Sequence, residues 1–325
     1  WGELELRAAL AARYTSSPAR CWKADDVYIG ADLRGVLEIL IAVLALRGAT
    51  VLIESPCDWT ILRLLQAADV KVIELPLLAD GGISLEQLEQ LLQNETVRLV
   101  VLSSVLSMPR GTLIPEDNRR AVADLLGAHG TWVLENDSYT DLVFEAGVVP
   151  FRDLLDPDRL IVYSTFEKTI GPEAPYGYVL SRQLTLQLQR HFLLRAFRLS
   201  PIRQKAIARL YSNGRIDQHL LVLRRLLRES ATSTTQLLRE RLGDSLQWVE
   251  AQGGATIWIR SSRRVDLRQV FQRLLAQRIV IAPGELFSIQ GLYTQHLRLT
   301  HALSGASDLD TALLALADAL RLEQS

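Results

Sequence analysis

The sequence predicts an α/β fold, with a mainly parallel sheet in a large N-terminal domain and a smaller α+β domain after it, and three observations carry that expectation. Over the first 180 residues, short β-branched or apolar runs alternate with segments of helical period. From Gln183 to about Arg241 the pattern turns continuously helical and arginine-rich. Strand-like runs then return between helices. The expected division is 1–215 for the large domain and 216–325 for the small one, with the linking helix counted in the latter.

The expected strands of the first domain, in order, are Val27–Ile29, Thr50–Ile53, Lys71–Leu75, Arg98–Leu102, Thr131–Leu134, Leu160–Tyr163 and Tyr176–Leu180. Between them, Ser84 with Gln87 forms a capping box ahead of Leu85, Leu88, Leu91 and Leu92. In the second domain the runs Ala255–Ile259, Val280–Ile281 and His296–Thr300 read as strands. A last helix starts at Ser307 and Asp310, ahead of Leu313 and Leu316. Arg190, Arg195, Arg198, Arg203, Arg224, Arg225 and Arg228 are interleaved with leucines at helical spacing, which favours a solvated helix face or a subunit contact over a nucleic-acid surface.

Composition narrows the function classes. The chain has 325 residues, 48% of them apolar, enough to bury a sizeable core. A net charge of −1 gives no global field toward nucleic acid or an anionic membrane. Cys21 and Cys57 are too few for a disulfide framework, and the five histidines form no HxH or HExxH group, so a reducing, cytoplasmic setting without a metal is expected. The most apolar segment, Val36–Leu46, is interrupted by Glu38 and falls short of the ~20 residues of a membrane span. The start at Trp1, without a methionine, suggests a piece of a longer gene product.

One lysine stands out by its company. Lys168 lies in STFEKTIGPEAPYGY, a Gly/Pro-rich turn after a strand; the acidic, aromatic turn VLENDSYTDLVF precedes it, and GGATIWIR, IAPGELFS and HLRLT follow much later. This succession resembles the fold type I pyridoxal-phosphate-dependent aminotransferases, specifically the aminotransferase-like domain of MocR-type regulators of the GntR family, over essentially the whole chain. The resemblance implies a catalytic role for Lys168, whose amine would form a Schiff base with pyridoxal 5′-phosphate, as a lysine does when burial and neighbouring cations lower its pKa. It implies a cofactor contact for Tyr139, and ring stacking for Trp59 in SPCDW, at or beside the family's aromatic. It places Ala31 and Asp32 in the phosphate cup GADLRG, with Thr165 adding a contact, and gives Arg298 the substrate carboxylate. Lys168, Tyr139, Trp59 and Arg298 are therefore expected to converge on one cleft.

Four departures accompany these matches. Asn136 stands where the resemblance implies an aspartate that keeps the pyridine nitrogen protonated. Asp137 is a poor substitute because adjacent strand residues face opposite ways. Met108, in SMPRG, replaces an asparagine, and Pro175 stands where an arginine would clamp the phosphate, with Arg34 or Arg110 as candidate replacements. Asp32 places a carboxylate near a phosphate. The expectation is a homodimeric effector domain of a regulator that responds to an amino acid or another small molecule, reaches DNA only through a segment outside this chain, and binds pyridoxal phosphate weakly or not at all. An active aminotransferase and a cofactor-free interaction module are the alternatives.

Overall fold

The computed structural model describes residues 1–302 and 306–323. In chain order the elements are α1 (Leu4–Tyr14), β1 (Val27–Gly30), α2 (Leu33–Val43), β2 (Thr50–Ser55), α3 (Trp59–Ala67), β3 (Lys71–Pro76), α4 (Leu85–Asn94) and β4 (Val97–Ser103). A short hairpin follows, β5 (Leu106–Ser107) with β6 (Thr112–Leu113), then α5 (Glu116–His129), β7 (Val133–Asn136), β8 (Leu160–Thr165) and β9 (Gly177–Leu180). The rest is α6 (Thr185–Arg195), α7 (Pro201–Ser212), α8 (Arg215–Leu242), β10 (Leu246–Trp248), β11 (Thr256–Ser261), α9 (Leu267–Ala276), β12 (Ala282–Pro283), β13 (His296–Thr300) and α10 (Ala306–Leu322).

Seven strands form one sheet in the order β1-β9-β8-β7-β4-β2-β3. Pairing is parallel from β8 to β3, whereas β9 runs antiparallel to both β8 and β1. Both faces are covered, which is why the strands read as unbroken apolar runs. Leu52, Val100, Leu102, Leu160 and Val162 pack into one core, while their neighbours Val51, Ile53, Leu99, Val101, Ile161 and Tyr163 pack into the other. The apolar run that starts at Val36 is an ordinary core helix: α2 buries Val36, Leu37, Ile39 and Leu40, and Glu38 turns out to meet Arg34 and Arg195. Full burial of such a side chain contributes about 1.5–3 kcal/mol.

The C-terminal domain is an antiparallel sheet, β10-β11-β13-β12. Its Ile257, Ile259 and Leu297 pack in one core with Leu238 of α8, Val270 and Leu274 of α9, and Leu313 and Leu316 of α10. The expected cap of α4 is present, Ser84 Oγ accepting from the Gln87 amide at 3.2 Å. The start signal at Ser307 lies outside the residues whose side chains are described, and Asp310 receives Arg241 Nε at 2.9 Å. Two expected strands are displaced. The run at Thr131 pairs only from Val133 to Asn136, and the run at Val280 pairs only at Ala282 and Pro283, because Val280 itself faces solvent. Among the described residues, no helix is long and apolar enough to cross a membrane.

Candidate functional site

Four strands that point the same way, β1, β2, β7 and β8, deliver their C-terminal ends to one edge of the sheet, the place where open α/β sheets offer a crevice. The segments leaving those ends carry Asp32, Asp58, Asn136 with Tyr139, and Glu167 with Lys168, and all six line a single pocket of about 220 Å³. The packing is close: a Cβ on Gly177, at the start of β9, would lie 2.8 Å from the Asp32 carbonyl oxygen, so only glycine lets β9 press against the start of α2. The lysine turn is anchored from behind, where the Thr169 carbonyl meets His219 Nε2 at 2.8 Å and the Ile170 amide donates to the Phe166 carbonyl at 2.7 Å.

Two helices start at this pocket, and each start already holds a carboxylate. Asp32 caps α2 by accepting from the Gly35 amide at 2.7 Å, and Asp58 caps α3 by accepting from the Thr60 amide at 2.8 Å. A helix N-terminus is otherwise a ready anion site. With Glu167, the lining carries three carboxylates against two cations, Lys168 and Arg34. Arg34 is drawn to Glu38, its Nε 3.1 Å from the carboxylate. The Tyr139 hydroxyl is pushed up from its ordinary value by burial first and by the Asp58 carboxylate next, with Arg298 opposing. Asn136 turns its Oδ1 back to the Ser138 amide at 3.1 Å, closing its own turn.

Trp59 and Arg298 lie next door. Both line a second cavity, of about 620 Å³, between the start of α3 and the C-terminal sheet. The Arg298 guanidinium sits 4.9 Å above the Trp59 ring and 5.5 Å from that of Phe287. Burial draws the guanidinium down from its ordinary value, while the Tyr139 hydroxyl and the Asp58 carboxylate act the other way, so Arg298 stands between the two cavities. The expected convergence is thus divided: Lys168 and Tyr139 share one pocket, and Trp59 and Arg298 share the next.

The remaining expected contacts lie off the pocket lining. Ala31 occupies the bend before Asp32. Met108 packs in a cluster with Val105, Leu106 and Val143, against which Tyr139 also packs. The Thr165 hydroxyl is engaged by its own chain, donating to the Tyr176 carbonyl and accepting from the Glu167 amide, both at 3.2 Å. Arg110 donates to the carbonyls of Leu78 and Ala79 at 2.7 and 2.6 Å. Strand parity places Asp137 on the far face, as expected: with Glu135 it receives Arg152, and Tyr14 donates to it. Burial pushes the Glu135 carboxyl up to about 7 against the pull of that arginine. The residue that sequence reasoning missed is Asp58. Its signal was its position, an aspartate directly ahead of a helical period.

The family model described as aminotransferase class I and II matches residues 2–316. Among curated proteins, the chain is 27% identical over 299 residues to the uncharacterized HTH-type transcriptional regulator YjiR of Escherichia coli, covering 91% of this chain and 63% of that protein. It is 22% identical over 285 residues to the 2-aminoadipate transaminase of Thermus thermophilus, covering 86% of this chain and 71% of the transaminase. The chain spans less than two thirds of the length of the regulators it matches, 63% of YjiR and 64% of a second from Escherichia coli, YdcR. Among solved structures, LysN, the α-aminoadipate aminotransferase of Thermus thermophilus, superimposes with a TM-score of 0.89 at 22% identity, over 98% of this chain and 82% of that one.

Proposed function

Because the chain belongs to the aminotransferase class I and II family, we propose that it is the aminotransferase-like effector-sensing and dimerisation domain of a transcriptional regulator, built on a degenerate pyridoxal-phosphate site. The regulators among its relatives support the first part. The observation that carries the second is the pair of capped helix starts. Pyridoxal phosphate needs a place for a dianion, and here the start of α2 is filled by Asp32 and the start of α3 by Asp58. A basic residue in place of Pro175 would offset them, but Arg34 is held by Glu38 and Arg110 by two carbonyls. The cofactor's ring nitrogen would meet the neutral Asn136 amide, whose oxygen is already engaged. These residues do not fit a tightly held pyridoxal phosphate, although the Lys168 amine and the Tyr139 hydroxyl remain in the pocket.

On this reading the domain works in the cytoplasm with 1–215 and 216–325 as its two parts, and DNA contacts belong to a segment outside this chain. Exposed apolar side chains on α6 to α8 support a homodimer: Leu186, Leu194, Ile202 and Leu221 are 80%, 73%, 81% and 66% exposed, surface that a second copy would cover. The retained Lys168 and the transaminase relative favour a second reading, an active aminotransferase. Equilibrium dialysis of pyridoxal phosphate, with an amino-acid turnover assay alongside, separates the two. The first reading expects at most weak binding that disappears in Lys168→Ala and no transamination; stoichiometric binding with turnover would overturn it.

A further inference from the structure

A third cavity, of about 810 Å³, opens in the C-terminal domain and shares no lining residue with the two already described. Its size suits a small molecule, but its lining is charged where such sites are usually apolar. Four arginines reach it from one stretch of chain: Arg260 near the end of β11, Arg263 and Arg264 in the loop that follows, and Arg268 in the first turn of α9. The loop between them is a fixed frame. Gln295 closes both backbone hydrogen bonds of Val265, its Oε1 accepting from the amide at 2.9 Å and its Nε2 donating to the carbonyl at 3.0 Å. Ser261 Oγ donates to the Arg263 carbonyl at 2.7 Å, and the Ser262 amide donates to the Ser245 carbonyl at 2.9 Å. The arginine stems therefore rise from backbone that a ligand would not have to order.

The charges in the lining are unequally matched. Each of its three carboxylates is committed. Asp266 caps α9, accepting from the Arg268 and Gln269 amides at 3.0 and 3.3 Å. Glu285 holds Arg268 Nε at 2.7 Å, and Glu323 holds Arg273 Nε at 2.8 Å. Arg263 is engaged as well. Arg260 and Arg264 are both exposed, and among the described residues neither guanidinium has a carboxylate within ion-pair distance. The Arg260 charge is felt across the ladder, where its partner His296 is pushed down by burial first and by Arg260 next.

The lining has no aromatic ring, and its apolar residues Val265, Leu267 and Pro283 are buried, so recognition falls to charge and to the hydroxyls of Ser262 and Thr294. A guanidinium fork suits the oxygens of a phosphate, and two unmatched cations suit two phosphates. We infer that this cavity is a binding site for a diphosphate, inorganic or at the end of an organic molecule, held between Arg260 and Arg264. The site is independent of the lysine pocket and of whether pyridoxal phosphate binds there.

Calorimetric titration with pyrophosphate is the test, with orthophosphate and ADP as further probes. Saturable binding is expected, weaker by about tenfold or more for orthophosphate, which can satisfy one cation at a time. Arg260→Ser and Arg264→Ser should each weaken pyrophosphate by about tenfold, and the double variant should abolish the heat while circular dichroism stays unchanged. Arg47→Ser removes the same charge from an exposed position on the large domain and should leave binding as it was. Gln295→Ala frees the loop without changing its charge and should weaken binding. An inorganic source is indicated when ADP binds no tighter than pyrophosphate, and a nucleotide source when it binds tighter by about tenfold or more. No saturable binding by the folded unmodified protein, or binding that survives loss of both arginines, would overturn the inference. So would capture of a DNA duplex at the same salt that pyrophosphate fails to displace.

Discussion

Glu74, within β3, is 3% exposed and belongs to the large sheet, yet most of its partners come from the C-terminal domain. Its carboxylate accepts from Ser288 Oγ at 2.7 Å and from the amides of Ile289 and Gln290, as well as from Ser55 Oγ of β2 at 2.7 Å. Hydrogen bonds to a charged group are worth about 1.5–3 kcal/mol each, and four of them would sum to roughly 6–12 kcal/mol if they were independent. They are not independent, and Ile289 and Gln290 lie at the surface, where water can replace the lost acceptor. Glu74→Ala should therefore lower stability by about 3–5 kcal/mol, in the range seen when one member of a buried charged network is removed. Glu74→Gln, which keeps one carbonyl oxygen for the amides and turns its NH₂ toward hydroxyls that can accept, should lose about 1–2 kcal/mol. Urea unfolding followed by tryptophan fluorescence checks both, with Trp59 and Trp258 placed on either side of the Phe287 ring that joins the domains. A Glu74→Ala midpoint within error of the unmodified protein would refute the idea that this carboxylate fastens the two domains together.

Asp32→Ser keeps a capping oxygen on α2 but removes a charge, and should tighten pyridoxal phosphate in dialysis by about tenfold with little change in stability. Pro175→Arg should act in the same direction, whereas Asn136→Asp should affect turnover more than affinity. Burial holds the His296 imidazole, stacked on Trp258, down to about 4 from 6.5. The unfolded chain therefore takes up the proton first, and the stability tied to the neutral ring is complete above pH 6.5 and lost as pH falls toward about 4. His296→Phe, which keeps the stacking, should flatten the melting temperature between pH 7 and 4, and an unchanged slope would count against this. Leu194→Glu with Ile202→Glu should convert a sedimenting dimer into monomer, and a monomeric unmodified protein at micromolar concentration would contradict the dimer.

The α/β rhythm was legible because both faces of the sheet are buried, so each strand is written as an apolar run between helical periods. The direction of β9 was not, since an antiparallel and a parallel strand bury the same side chains. At the site, parity made the opposition of Asn136 and Asp137 readable, and Arg152 on the far face is its consequence. Parity gave no help at SPCDW. There the chain leaves a strand and enters a helix, and Asp58 takes the cap and faces the pocket while Trp59 turns toward Arg298. The sequence placed a carboxylate at Asp32, but only the bond to the Gly35 amide shows that it is committed to its own helix.

That commitment has a consequence for how the domain behaves across a changing cell. An anion borrowed from solution occupies a helix start only in proportion to its supply, and the first turn loosens when supply falls. Asp32 is tethered one residue away, so its effective concentration does not vary with metabolism. The opening turn of α2 is then equally ordered whatever anions the surrounding solution holds.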